Sequence, residues 1–336
     1  MRLGLATLLV LGALAAAACG AGATGTAEGG AGGSDTDGGS HPASAARTDR
    51  WTALRGAPLE RTEVAAARSG SAIYVAGGYV PPKGATTAAV ERYDIAGDRW
   101  RRVRSMPLAL NHAAAVAYRG DLYVIGGSRS DGRASDALLR YDPERDRWSR
   151  LPNAPSERAA LAAGVIGDRI YAAGGARDGA ALNTLEVYDL RKRRWSTGPS
   201  MRYAREHLAG TVSGGAFYVL AGRAGGQGSF TYAERYVPSR MRWERLPMSS
   251  KPRGGIAAAT LDDGRIVLMG GEEGAGTIEE VELYDPRARR WSALPDLRTP
   301  RHGLGAAAMG DRVYAIEGGV KPGLFYSSAI EALDVP

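Results

Sequence analysis

The sequence predicts an all-β fold: a six-bladed β-propeller preceded by an export signal and a flexible tether. Three observations predict the ring. The six tryptophans Trp51, Trp100, Trp148, Trp195, Trp243 and Trp291 recur every 47 to 49 residues, each directly after an Arg. In phase with them, six apolar runs end in glycine at Gly78, Gly127, Gly175, Gly222, Gly271 and Gly318. About fifteen residues later comes Tyr93-Asp94, echoed at Tyr141-Asp142, Tyr188-Asp189, Tyr236 and Tyr284-Asp285. A period of this size marks units that cannot bury both faces alone and must pack on their neighbours. Within each unit, short stretches rich in Val, Ile, Tyr and Ala alternate with turns such as Arg119-Gly120-Asp121, and no helical period is sustained. Each unit therefore reads as about four antiparallel strands. Six of them arranged radially close into a propeller.

Residues 1–18 read as a signal peptide. Met1-Arg2 precedes an apolar run from Leu3 to Ala18, shorter than the roughly 20 residues a membrane span needs but suited to a secretory signal. Ala16-Ala17-Ala18-Cys19-Gly20 resembles a bacterial lipobox, in which the Cys thiol receives a lipid. Ala16 stands where a typical lipobox carries Leu, and the other reading is an ordinary cleavage after Ala-x-Ala with Cys19 incidental. Cys19 is the only cysteine in the chain, which excludes a disulfide framework and a Cys-based zinc site. Residues 19–49 form a lipidated linker of Gly, Ala, Ser, Thr and Asp, too poor in apolar surface to fold. As a Gly-rich coil it spans roughly 30 Å. The expected location is outside the cytoplasm, on the outer face of the cytoplasmic membrane, anchored through the lipid.

The propeller takes residues 50–336. Its paired glycines, Tyr-Asp and Trp at a period near 48 together resemble kelch repeats, and the resemblance covers nearly all of the chain after the linker. It implies a six-bladed kelch propeller. The last copy stops at Glu331-Ala332-Leu333-Asp334-Val335-Pro336 without its Arg-Trp strand, whereas Arg50-Trp51-Thr52-Ala53-Leu54 is that strand with nothing before it. The N-terminal strand should therefore complete the final blade and close the ring.

Residues present in every blade serve the repeat, so candidate functional residues are sought where blades differ. The start of each innermost strand carries the densest asymmetry: Arg61, Glu63, His112, Arg158, Arg205, Glu206, His207, Arg253, Arg301 and His302 all fall there. The resemblance implies that this strand lines the central channel and opens on the face most used for binding. Converging arginines there would make an anion-binding mouth. Glu317 is a further candidate, because it replaces a glycine kept in four sister blades. His112 and His207 align, but His302 falls one residue earlier, and neighbours on a strand face opposite ways. No metal site and no cofactor are expected on that basis.

The chain has 43 basic and 36 acidic residues, a net charge of +7, which does not by itself indicate nucleic acid. Loop aromatics Tyr79, Phe230, Tyr232, Phe325 and Tyr326 could stack on a sugar or peptide. The expected function is a monomeric surface-displayed binding scaffold for a protein or an anionic cell-envelope glycan. The alternative is a sugar-isomerising enzyme similar to exported kelch sialic-acid epimerases, with Glu63, His112, Glu206 and His207 supplying acid and base. Copper chemistry of the galactose oxidase kind is excluded, since the only Cys lies outside the propeller. No phosphate loop, nucleophile triad or metal-ligand spacing is present.

Overall fold

A computed structural model describes residues 50–225, 227–274 and 276–336. The signal segment, Cys19 and the linker lie outside the described residues. No helix among the described residues is long and apolar enough to cross a membrane.

The apolar run of each repeat is the second strand of a four-stranded antiparallel sheet. In blade one the strands are Ala65–Ser69, Ala72–Ala76, Val90–Asp94 and Arg99–Val103, hydrogen-bonded in that order. The second strand is buried along its whole length and the Arg-Trp strand is mostly exposed at the rim. That gradient explains the composition: the second strand has a blade on each face and the fourth faces water. First strands of neighbouring blades touch around the axis, and six apolar clusters lie between successive blades.

Ring closure is as expected. Blade six takes Gly305–Met309, Arg312–Ile316 and Ile330–Asp334 from the C-terminus and Thr52–Ala53 from the N-terminus, with Thr52 opposite Ala332 and Ala53 opposite Glu331. Each tryptophan indole then fastens its blade to the preceding one. Trp100 Nε1 donates to the Arg55 carbonyl at 2.7 Å and Trp195 to the Pro152 carbonyl at 2.8 Å. Trp51 makes the same bond, to the Pro295 carbonyl at 2.8 Å, so the closing joint copies the others.

The repeated arginines are the main correction. Arg61, Arg158, Arg205, Arg253 and Arg301 do not line the channel mouth; all five are at most 1% exposed. Each turns into its own blade and pairs with a glutamate on the third strand. The pairs are Arg61–Glu91 at 3.0 Å, Arg158–Glu186 at 2.8 Å, Arg205–Glu234 at 2.9 Å, Arg253–Glu282 at 2.8 Å and Arg301–Glu331 at 3.4 Å. The guanidinium also donates to carbonyls at the ends of the central strands, as Arg205 does to Ala221 and Tyr232 at 2.7 Å each. A guanidinium with fixed donors satisfies several buried acceptors at once. Arg253 holds the same position as its sisters, although its blade has a hairpin one residue longer, at Leu261–Arg265, between it and the glycine pair.

Blade two carries the natural control. Leu110 replaces the arginine and Leu139 the glutamate, and both sit in one apolar cluster. Losing both charges together leaves no buried charge unpaired, whereas losing one leaves the other stranded. Arg158→Leu alone is expected to cost about 3–5 kcal/mol in urea unfolding, and adding Glu186→Leu should recover most of it, to within about 1–2 kcal/mol of the parent. A double variant as unstable as the single one would contradict this role.

Candidate functional site

The chain narrows to a ring of six residues at the axis, one per blade: Glu63, His112, Ala160, His207, Gly255 and Gly303. All six have positive φ, between 50° and 67°. Each ring residue from His112 to Gly303 donates its backbone N–H to the carbonyl of the ring residue before it, at 2.7 to 3.0 Å, and Val64 N closes the circle on the Gly303 carbonyl at 3.3 Å. Two glycines suit this left-handed turn; the other four positions hold it under the constraint of the ring. Positive φ also breaks the strand alternation, so Arg61 enters the blade while Glu63, two residues on, turns to the axis.

The ring side chains and their neighbours form one connected cluster. His112 Nε2 lies 3.2 Å from Glu63 Oε2, and His302 Nδ1 lies 3.2 Å from Glu63 Oε1. The His112 and His207 rings meet edge to face at 4.8 Å, with Tyr79 against His112 at 5.6 Å. His207 Nδ1 contacts Glu206, whose other oxygen accepts from Arg223 Nε at 3.1 Å. Arg223 Nη1 then donates to Glu272 at 2.7 Å. Tyr79, Arg223 and Glu272 share a repeat position, the residue after Gly78, Gly222 and Gly271, and each bridges to the residue before its blade's ring position, Thr62, Glu206 and Gly254 respectively. That alignment is the signal by which Arg223 and Glu272 could have been found from sequence.

The charges follow from surroundings. Burial pushes the Glu63 carboxyl up, but the histidines around it outweigh this and hold it well below the usual carboxylate range. Burial lowers His112 and takes His207 down to about 3, so both rings are neutral near pH 7. His302 is raised despite its burial, because Glu63, Glu272 and the Lys321 carbonyl surround it. It is 2% exposed and braces Glu63 through Nδ1 while Nε2 meets the Lys321 carbonyl at 3.0 Å.

The expected sites therefore divide. Glu63, His112, Glu206 and His207 come together at the axis, with His302 buried against Glu63. Glu317 is elsewhere: fully buried at the first-glycine position, with φ 53°, it accepts from Arg61 Nε and Nη2 at 2.8 Å each. It ties blade six to blade one at the closing joint. In blade five the equivalent Gly270 has no room for a side chain, since a Cβ there would stand 2.5 Å from the Arg301 carbonyl.

Two concavities meet near the cluster. An axial cavity of about 70 Å³ is lined by Glu63, His112 and His207, and a depression of about 220 Å³ includes Tyr79, His112, Asp178, Glu206 and His207. Gly179 joins the depression to a groove of about 370 Å³ lined by Arg202, Tyr203, Phe230 and Tyr232. Tyr232 stacks between the other two rings, 4.1 Å from Tyr203 and 5.0 Å from Phe230.

Comparison with known proteins agrees with the architecture. Residues 63–204 match the family model described as the KLHDC2/KLHL20/DRC7 Kelch-repeats domain, and residues 257–298 match the Kelch motif. A solved structure of YjhT superposes with a TM-score of 0.72 over 82% of this chain and 95% of that one, at 16% identity, a likeness of fold. The sequence has no significant match among curated proteins. Kelch repeats are thus matched over residues 63–204 and 257–298, and the described residues form a six-bladed propeller.

Glu317 should make stability depend on pH. Burial first, and then Glu91 sharing the same arginine, push its carboxyl up to about 7 against the pull of Arg61. Its folded value lies above its unfolded one of 4.5, so the folded chain binds more protons between the two. Its contribution is thus fullest below pH 4.5 and is lost as pH rises through 7. Relative to Glu317→Gln, the parent should lose on the order of 2 kcal/mol between pH 4.5 and 8 in denaturant titrations. Parallel stability curves would contradict the assignment.

Proposed function

We propose that this kelch-repeat propeller is an extracytoplasmic binding protein, held at the membrane through Cys19, that seats a hydroxyl-rich segment of a cell-envelope glycan. One observation carries the reading: an aromatic groove runs into a polar depression at the channel mouth. Tyr203, Phe230 and Tyr232 offer ring surface over blades three and four. Asp178, Glu206 and the two axial histidines offer hydrogen-bonding groups beside it. Stacking plus a few placed polar groups is the chemistry of a ligand that is apolar on its faces and polar at its edges.

The withdrawal of the five arginines into the blades removes the basis for an anionic preference. The charged groups left around the axis are Glu63, Glu206 and Glu272, with Arg223 and His302 among them. A neutral glycan fits this balance better than an acidic one. A second reading, sugar isomerisation, is favoured by the contact of Glu206 with His207 beside a void large enough for one sugar ring.

Isothermal titration with soluble cell-envelope polysaccharide fragments tests the proposal. Tyr203→Ala with Phe230→Ala, and Asp178→Asn separately, should weaken binding at least tenfold with little change in melting temperature. Cys19→Ser should release the protein from the membrane fraction and leave glycan affinity unchanged. Absence of binding across the fragments, or parental affinity in both groove variants, would contradict the glycan reading. Conversion of a bound sugar between isomers would favour the second reading.

A further inference from the structure

We propose that Glu63, His112 and His207 form a binding site for one divalent transition-metal ion, of the Zn²⁺ class, on the propeller axis. One donor atom from each of the three residues lies within 4.8 Å of the other two. Around an ion bonded at about 2.0–2.2 Å, tetrahedral donors stand about 3.4 Å apart, and the Glu63–His112 separation is already 3.2 Å. Small side-chain rotations suffice to bring His207 to the same centre. Two imidazoles and one carboxylate, with a position left for a water or ligand oxygen, are a donor set suited to such an ion.

The second observation is how the histidines are held. Asn111 Nδ2 donates to Thr86 Oγ1 at 2.8 Å, which fixes the amide so that Oδ1 faces His112 Nδ1 at 2.5 Å. His112 Nδ1 is therefore the donor, and its Nε2 lone pair points at the Glu63 carboxylate. His207 repeats the arrangement, with Nδ1 on the carboxylate of Glu206, also the residue just before it. Both rings thus have Nδ1 engaged by a polar neighbour, which leaves Nε2 as the nitrogen that can ligate, the way outer partners orient metal-bound imidazoles. Without a cation or proton between them, a lone pair and a carboxylate oxygen would face each other at 3.2 Å. His302 holds the other Glu63 oxygen, which fixes the carboxylate as well.

Location allows entry. The three side chains are 11 to 16% exposed, and the axial cavity shares His112 and His207 with the outer depression. His302, one place before the ring residue Gly303, is not the third ligand; it holds the other oxygen of Glu63. Glu63, itself a ring residue, takes the third place instead.

The test titrates the purified full chain with Zn²⁺ by calorimetry and with Co²⁺ by visible absorption. One ion per chain is expected, with the d–d bands of low-coordinate Co²⁺. His112→Ala and His207→Ala should each weaken affinity by tenfold or more. Glu63→Gln, which keeps the shape and hydrogen-bonding reach of the side chain, should do the same while its circular dichroism in chelator stays parental. His41→Ala, outside the propeller, should bind as the parent does. A parent chain that binds no ion overturns the proposal, as does parental affinity in both ring-histidine variants or loss of binding in His41→Ala. A proton bridging His112 and Glu63 would give the first of these results.

Discussion

Everything in this molecule depends on closing a ring from sheets that cannot stand alone. Each second strand is buried on both faces only because a blade lies to either side, so an open end would expose one complete apolar face. Closure rests on two residues of strand, Thr52–Ala53, and on Trp51, which is 3% exposed and packs into the cluster between blades five and six. Leu54 N adds a bond to the Ile330 carbonyl at 3.0 Å. With no cysteine in the propeller, this non-covalent joint carries the load. Glu317 supplements it with a hydrogen-bonded link from blade six to Arg61.

Closure also creates the site. Six first strands converging on one axis force six backbone turns into contact, and the positive φ shared by all six is the geometric consequence. Three of these positions keep small residues: Ala160, Gly255 and Gly303. The other three place Glu63, His112 and His207 side by side, although the sequence separates them by 49 and 95 residues. The scaffold is symmetric because folding requires it, and the chemistry sits at the positions where symmetry is broken. Beneath the ring, the buried Arg–Glu pairs organise each blade; blade two shows that leucines fill the same role.

Much of the fold was legible because its determinants recur. Trp, the glycine pairs and Tyr-Asp report six equivalent environments, and the missing final Arg-Trp strand reports how the ring closes. The arginine pairs were harder to see. Their partners, two residues before each Tyr or Leu333, are visible only when blades are compared by which charges vanish together: Leu110 and Leu139 replace both members at once. The arginines were expected at the mouth because the kelch resemblance puts the start of each innermost strand there, and strand alternation would keep Arg61 on the same face as Glu63. A left-handed residue at each ring position breaks that rule, and no residue type at Glu63 or His112 announces it. Arg223 and Glu272 escaped notice because they follow the glycine pair on a different segment. The groove residue Tyr203 lies outside the aligned windows altogether.

The closing joint can be tested in isolation from any ligand. Chemical unfolding is compared for the chain lacking residues 1–48 and the chain lacking 1–56. The first keeps Trp51 and the closing strand and should unfold at the parental denaturant midpoint. The second loses both, exposing the edge of Ile330–Asp334, and should be destabilised by more than the about 3–5 kcal/mol of a buried Trp→Ala substitution. Equal stability of the two truncated chains would contradict closure by the N-terminal strand as the constraint that builds the axis.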